Sequence, residues 1–191
     1  MSEFGTIVER DLQHATIRFE RSLEADIAKT WRWLTEPDRL ERWMAPTQID
    51  VRVGGTVEHR FDETDDGLAR GRILRVDVPH LLEYEWRFPG EPDSAVCFEL
   101  RAEGDRTVIT LTHRMLGVGH AAGYGAGWHA HLDVLEAAMV GGALSWDECF
   151  GEIIGDYQTR FTPPSPATTS TGTPDADGTS SAATTTGQTE P

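Results

Sequence analysis

The sequence contains little positive charge. Lys29 is its only lysine beside 16 arginines, and 32 acidic residues bring the net charge to −15 at pH 7. Sequence-independent affinity for nucleic acid depends on cationic side chains that neutralise phosphates, and attraction to anionic membranes has the same requirement. The composition therefore argues against nucleic acid as a partner and against binding to an anionic membrane surface.

Cysteine and long apolar segments are also scarce. Cys97 and Cys149 lie far apart and belong to no paired motif, which excludes a disulfide framework and a zinc ribbon. The first residues lack the apolar region of a secretory signal, and no run approaches the length that spans a membrane. We therefore expect a cytoplasmic protein without membrane insertion.

The end of the sequence lacks the residues that build a core. From Thr162 to Pro191 there is no aromatic residue and no aliphatic residue larger than alanine. Such a segment buries too little apolar surface to offset its ordering entropy, so residues 162–191 are predicted to form a disordered tail rich in Thr, Ser, Pro, Gly and Ala. The remainder is predicted to comprise one domain, residues 1–142, and an additional helix within 143–161 that packs on it.

Motifs for several kinds of chemistry are missing. We find no nucleophile paired with a base, no phosphate-binding loop and no pair of catalytic carboxylates, so no cofactor is expected. His129 and His131 are candidate metal ligands, but side chains two residues apart on a helix differ in direction by about 200° around its axis, so the two cannot bind one metal ion from the same face. No metal site is therefore predicted.

The middle of the chain alternates apolar and polar residues, as half-buried strands do. Tyr84, Trp86 and Phe88, for example, share one face of their segment. Short turn sequences separate the segments, which favours an antiparallel meander with one solvated face. Strands are predicted at residues 16–22, 49–53, 57–61, 71–77, 82–88, 96–100 and 107–113.

Helical spacing flanks this sheet. Ile27, Trp31 and Leu34 recur at i, i+4 and i+7, which predicts one helix, and a short second helix follows from Pro37. A long helix is predicted over residues 127–139. Its apolar face would hold Trp128, His131, Leu132, Leu135, Ala138 and Met139, and its solvent-facing side His129, Asp133 and Glu136.

A last helix is predicted from Ser145, because Ser145 and Glu148 have the spacing of a capping box. Its apolar stripe consists of Trp146, Phe150, Ile153 and Tyr157. This spacing indicates a helix docked on the domain.

Several motifs, in order over residues 14–140, resemble the START-like, polyketide cyclase-like SRPBCC superfamily, and most closely homologues of the activator of the heat-shock-protein-ninety ATPase. They are Trp31-Arg32-Trp33-Leu34-Thr35 followed by Glu36-Pro37 and Leu40-Glu41-Arg42-Trp43, the turn Arg52-Val53-Gly54-Gly55, Gly71-Arg72-Ile73-Leu74 with Leu82-Glu83-Tyr84-Glu85-Trp86, Val108-Ile109-Thr110-Leu111-Thr112-His113, and Gly127-Trp128 with Leu132 and Leu135. The helix from Ser145 resembles an extension common in bacterial members.

The resemblance implies an α+β helix-grip fold. In it a curved antiparallel sheet wraps around the long C-terminal helix with an apolar cavity between them. Many apolar walls with few polar groups are what a small-molecule pocket requires. The predicted ligand-binding residues are His59, Phe61, Tyr84, Trp86, Phe98, Leu111, His113, Trp128, His131 and Leu135.

Three features have two interpretations each. His131 is either a core histidine bonded to a backbone carbonyl or a tyrosine, or, with His59 and His113, a polar group of the cavity. The glycines from Gly117 to Gly127 form either a flexible mouth or a loop that needs glycine geometry. Arg21 shares a stripe with apolar neighbours and is expected to reach a cavity carboxylate or the acid group of a ligand.

The function expected from these features is binding of a small hydrophobic molecule in an enclosed cavity. One alternative is an enzyme of the polyketide cyclase or dehydratase type, with a cavity histidine as general base. The other is a protein-interaction or co-chaperone-like module. A homodimer or a protein partner is compatible with each of them.

Overall fold

The computed structural model describes residues 3–162, so the predicted tail, apart from Thr162, lies outside the described residues. Residues 3–162 form eight strands and four α-helices. They are β1 (Thr6–Arg10), β2 (His14–Leu23), α1 (Ile27–Thr35), α2 (Pro37–Leu40), β3 (Thr47–Ile49), β4 (Thr56–Arg60), β5 (Leu68–Asp77), β6 (Leu81–Trp86), β7 (Ser94–Glu103), β8 (Arg106–Gly117), α3 (Ala121–Met139) and α4 (Trp146–Phe161).

The strands form one antiparallel sheet in the order β1-β2-β8-β7-β6-β5-β4-β3. Strands β3 to β8 follow each other as the predicted meander, but β3 ends at Ile49, so the strand predicted at residues 49–53 was misplaced. Strand β8 returns to pair with β2 over almost its whole length. Strand β1 was not predicted. It is an edge strand whose residues are mostly exposed, so it lacks the apolar alternation of a half-buried strand.

The long helix α3 packs its apolar side against the sheet. Leu132 and Leu135 are fully buried and join a single core cluster with Phe98 and Leu111 from neighbouring strands. The helix α1 adds Trp31 and Leu34 to the same cluster. At this level the side chains of the sheet and of α3 pack against one another in that cluster.

The last helix, α4, lies along α3. The predicted cap is confirmed, since the Ser145 side chain accepts a hydrogen bond from the Glu148 backbone N–H. Tyr157 is fully buried, and its hydroxyl lies 3.0 Å from Nδ1 of His129. The prediction that His129 faces solvent was therefore wrong, because α4 covers that side of α3 and leaves His129 only 2% exposed.

The glycine-rich segment is neither a mouth nor a loop over most of its length. Helix α3 begins at Ala121, so Gly123, Gly125 and Gly127 are helical. A Cβ atom at Gly125 would lie 2.5 Å from the ring of Tyr157. Glycine at this position lets α4 approach α3 closely.

Candidate functional site: an aromatic cleft

A cleft of about 680 Å³ opens between one end of the sheet, the first half of α3 and the start of α4. We call it the aromatic cleft, because rings provide most of its walls. It is open to solvent rather than enclosed, which differs from the expected cavity. The lining residues are Met44, Phe61, Trp86, Phe88, Glu91, Gly119, His120, Gly123, Tyr124, Gly127, Trp128, His131, Trp146, Asp147 and Phe150.

Four of the ten predicted ligand-binding residues line the aromatic cleft, namely Phe61, Trp86, Trp128 and His131. The other six are packed in the core, because rings and aliphatic side chains fill the space between the sheet and the middle of α3. The Phe98 ring, for example, lies 5.9 Å from that of Trp128. The six residues that do not line the cleft are His59, Tyr84, Phe98, Leu111, His113 and Leu135.

His113 has both ring nitrogens engaged. The Trp128 indole donates to Nδ1 over 2.9 Å, so Nε2 carries the proton and faces the Ser94 hydroxyl at 2.9 Å. Ser94 in turn donates to the Trp86 carbonyl oxygen. His113 therefore orients the side chain of Trp128 and offers no nitrogen to a ligand.

His59 is also satisfied within the core. The Thr47 hydroxyl donates to the Ala45 carbonyl oxygen, so Nδ1 of His59 donates to the Thr47 oxygen over 2.8 Å. Its Nε2 then accepts from the Tyr84 hydroxyl, 3.3 Å away. Burial lowers the pKa of His59 and that of His113 to about 3, so both rings are neutral at pH 7.

His131 combines the two interpretations considered for it. Its Nδ1 lies 2.7 Å from the Trp43 carbonyl oxygen, which can only accept, so Nδ1 carries the proton. Nε2 is then an unprotonated acceptor on a ring that lines the aromatic cleft. Burial lowers the pKa of His131 to about 4, against the raising effect of the Trp43 carbonyl.

A chain of hydrogen bonds leads along the cleft to a carboxylate. The Trp86 indole donates to the Tyr124 hydroxyl over 2.9 Å, and Tyr124 donates to Oε2 of Glu91 over 2.6 Å. Nδ1 of His120 lies 3.3 Å from the other oxygen of Glu91. Burial, with the neighbouring Glu91, raises the pKa of Tyr124, so the phenol keeps its proton.

Sequence reasoning missed most of the remaining lining residues. The alternation in the sequence predicts that Phe88 shares a face with Trp86, while the helical spacing of Trp146 and Phe150 predicts only that α4 docks on the domain. Their rings stack with centroids 4.8 Å apart and form one wall of the cleft. Tyr124 lies among the glycines of residues 117–127, whose spacing predicts either a mouth or a loop and gives no sign that this ring lines a cleft.

The family model for the Activator of Hsp90 ATPase homolog 1-like protein matches residues 24–140, which is more than half of the chain. The chain belongs to this family. Membership confirms the resemblance to the SRPBCC superfamily and the predicted helix-grip fold, with its curved sheet and long C-terminal helix. No functionally curated protein matches the sequence.

Solved structures of similar proteins share the fold of this chain. CalU16 from Micromonospora echinospora is 27% identical, with a TM-score of 0.67 over 78% of this chain and 90% of CalU16. The protein encoded by gene BPP1335 of Bordetella parapertussis is 29% identical, with a TM-score of 0.64 over 83% of this chain and 93% of its own. DynU16, described as a protein in the dynemicin biosynthetic locus, is 22% identical, with a TM-score of 0.60 over 67% of this chain and 48% of DynU16.

Arg21 does not reach the aromatic cleft of the protein. It lies on β2, and its Nε is 3.5 Å from Oε1 of Glu136 on α3. The expected carboxylate partner is thus present, but it is a residue of α3 outside the cleft.

Within residues 3–162 there is no group of three or more His, Cys, Asp or Glu residues arranged to hold a metal ion. None of the helices in that part of the chain is long and apolar enough to cross a membrane.

Proposed function

We propose that this protein binds a small aromatic molecule in the aromatic cleft. The observation that carries the proposal is the cleft itself, about 680 Å³ with rings from the sheet, α3 and α4 on its walls. Clefts of this size lined by aromatic side chains and a few polar groups suit drug-sized ligands. Rings also provide stacking partners for a flat molecule.

The protonation state of His131 favours ligand binding over the alternative of a cyclase-like enzyme. A general base is most effective when its pKa lies near the working pH. Burial holds the pKa of His131 near 4, so its Nε2 is a weak base at neutral pH but a good hydrogen-bond acceptor.

Binding can be tested with N-phenyl-1-naphthylamine, an uncharged dye whose emission rises in apolar surroundings. We expect saturable binding that quenches tryptophan emission, because Trp86, Trp128 and Trp146 line the cleft. Replacing Gly123 with Phe places a ring on the cleft wall, where a new Cβ meets no atom within 4 Å. Gly123→Phe should weaken dye binding at least about tenfold, which corresponds to 1.4 kcal/mol.

The matched control is Gly155→Phe. Gly155 is an exposed glycine of α4 that also has open space around it but does not line the cleft. This variant should bind the dye like the original protein. The proposal fails if no dye binds, or if the two variants weaken binding equally.

A further inference from the structure

Most hydrogen-bond donors on the side chains that line the aromatic cleft already bond to other atoms of the protein. Six lining side chains carry a donor, and five of these donors bond to another atom of the protein. The sixth side chain, His120, has its Nδ1 3.3 Å from Glu91. The five are the indole N–H groups of Trp86, Trp128 and Trp146, the hydroxyl of Tyr124 and Nδ1–H of His131.

Acceptors, in contrast, remain available. Nε2 of His131 is unprotonated and makes no hydrogen bond to any residue in the range 3–162. Glu91 has a partly exposed carboxylate, and Asp147 adds a second one from the first turn of α4. No lysine or arginine is among the lining residues.

We infer that the aromatic cleft selects flat aromatic molecules that donate hydrogen bonds, such as phenols and arylamines, and rejects anions of the same shape. This inference rests on the proposed function and specifies its ligand class. The aromatic walls provide affinity for the ring system of the ligand, and the excess of acceptors in the cleft determines which substituents that ligand can carry.

The physical basis is the cost of burying polar groups without partners. A phenol hydroxyl can donate to Nε2 of His131 or to a carboxylate, whereas a methyl ether leaves those acceptors desolvated and unpaired. A ligand carboxylate meets two like charges, Glu91 and Asp147, and every side-chain donor on this wall other than that of His120 is already bonded within the protein. Such unpaired and repelling groups produce discrimination among ligands of equal shape.

Three probes of nearly equal size test the inference, namely 1-naphthol, 1-methoxynaphthalene and 1-naphthoate. Their dissociation constants are measured by tryptophan quenching at pH 7. We expect 1-naphthol to bind about fivefold more tightly than 1-methoxynaphthalene, which is the scale of one net hydrogen bond. We expect 1-naphthoate to bind at least about tenfold more weakly than 1-naphthol.

Two variants assign each preference to its source. His131→Phe should reduce the preference for 1-naphthol over the methyl ether, and the double variant Glu91→Gln with Asp147→Asn should reduce the penalty on 1-naphthoate. Glu152→Gln is the charge control, because Glu152 is exposed on α4 and does not line the cleft.

The outcomes separate the inference from the proposed function. Equal binding of the three probes, or tightest binding of 1-naphthoate, would overturn the inference and leave ligand binding established. Preferences that persist unchanged in both variants would also overturn it. Failure of all three probes to bind would overturn the proposed function, and the inference with it.

Discussion

Arg21 carries a guanidinium group that is almost wholly buried, with 5% of its side chain exposed. Nη1 donates to the Glu20 carbonyl oxygen, while Nε and Nη2 have no hydrogen-bond partner among residues 3–162. Its charge is compensated by Glu136, 3.5 Å away. Burial, with the nearby Asp133, raises the pKa of the Glu136 carboxyl group, and the Arg21 guanidinium offsets this effect only in part.

Replacing Arg21 with Met should therefore reduce the free energy of unfolding. Breaking a buried ion pair costs about 3–5 kcal/mol, but Glu136 is 38% exposed and partly solvated, so we expect about 2 kcal/mol. The double variant Arg21→Met with Glu136→Gln should recover part of this loss. Urea denaturation at pH 7 measures both, and unchanged stability of Arg21→Met would show that the pair is not important for folding.

The three histidines show what a sequence pattern can predict about a single residue. Alternation and helical spacing placed His59, His113 and His131 on inward faces, and all three are buried. The pattern gives the direction of a side chain but not the depth or the hydrogen bonds at that point. The cleft histidine, His131, differs from the two core histidines in its hydrogen-bond partners. Those partners are distant in sequence, as Trp43 is from His131, so periodicity does not predict them.

At the scale of the element, helix α4 has two different ends. Trp146 and Phe150 near its start line the aromatic cleft. Near its other end Tyr157 accepts a hydrogen bond from the Gly5 backbone N–H and contacts His129, and Phe161 is buried beside it. The first end serves the cleft and the second attaches the helix to the domain.

Substitutions at the two ends should separate these roles. Tyr157→Phe removes a buried hydroxyl and leaves the Gly5 N–H and His129 without that partner, which should cost about 1–3 kcal/mol of stability and leave dye affinity unchanged. Phe150→Ala removes half-buried surface from the cleft wall and should weaken dye binding more than it lowers stability. Thermal unfolding and dye titration of both variants provide the measurement. If both changed the two quantities in the same proportion, α4 would act as a single unit.

The elements were predictable where one face is buried against the sheet or helix. The strands β4 to β8 and the helices α1, α3 and α4 follow from period-2 and helical spacing. The pattern failed at β1, which has little buried surface, and at the start of α3, where three glycines suggested a loop. It also failed for His129, because burial there depends on α4, a partner that periodicity in α3 does not reveal.

At the scale of the whole molecule, burial lowers the pKa of four histidines within residues 3–162, namely His59, His113, His129 and His131. Burial lowers the pKa of His59 and His113 to about 3 and that of His131 to about 4. Their ordinary pKa is about 6.5. In the interval between these values the unfolded chain binds protons that the folded chain does not, so acid favours unfolding.

Stability should therefore fall as the pH is lowered below about 6.5 and continue to fall to about pH 3, the folded-state pKa of His59 and His113. Above pH 6.5 the histidines are neutral in both states, and their contribution is complete. Within the interval each histidine adds a slope of up to about 1.4 kcal/mol per pH unit. Urea denaturation at pH 7, 6 and 5 measures this slope, and His113→Gln should reduce it by about one proton, since glutamine keeps one donor and one acceptor but does not titrate. A flat profile from pH 7 to 5, or an unchanged slope in His113→Gln, would contradict the assignment of neutral core histidines.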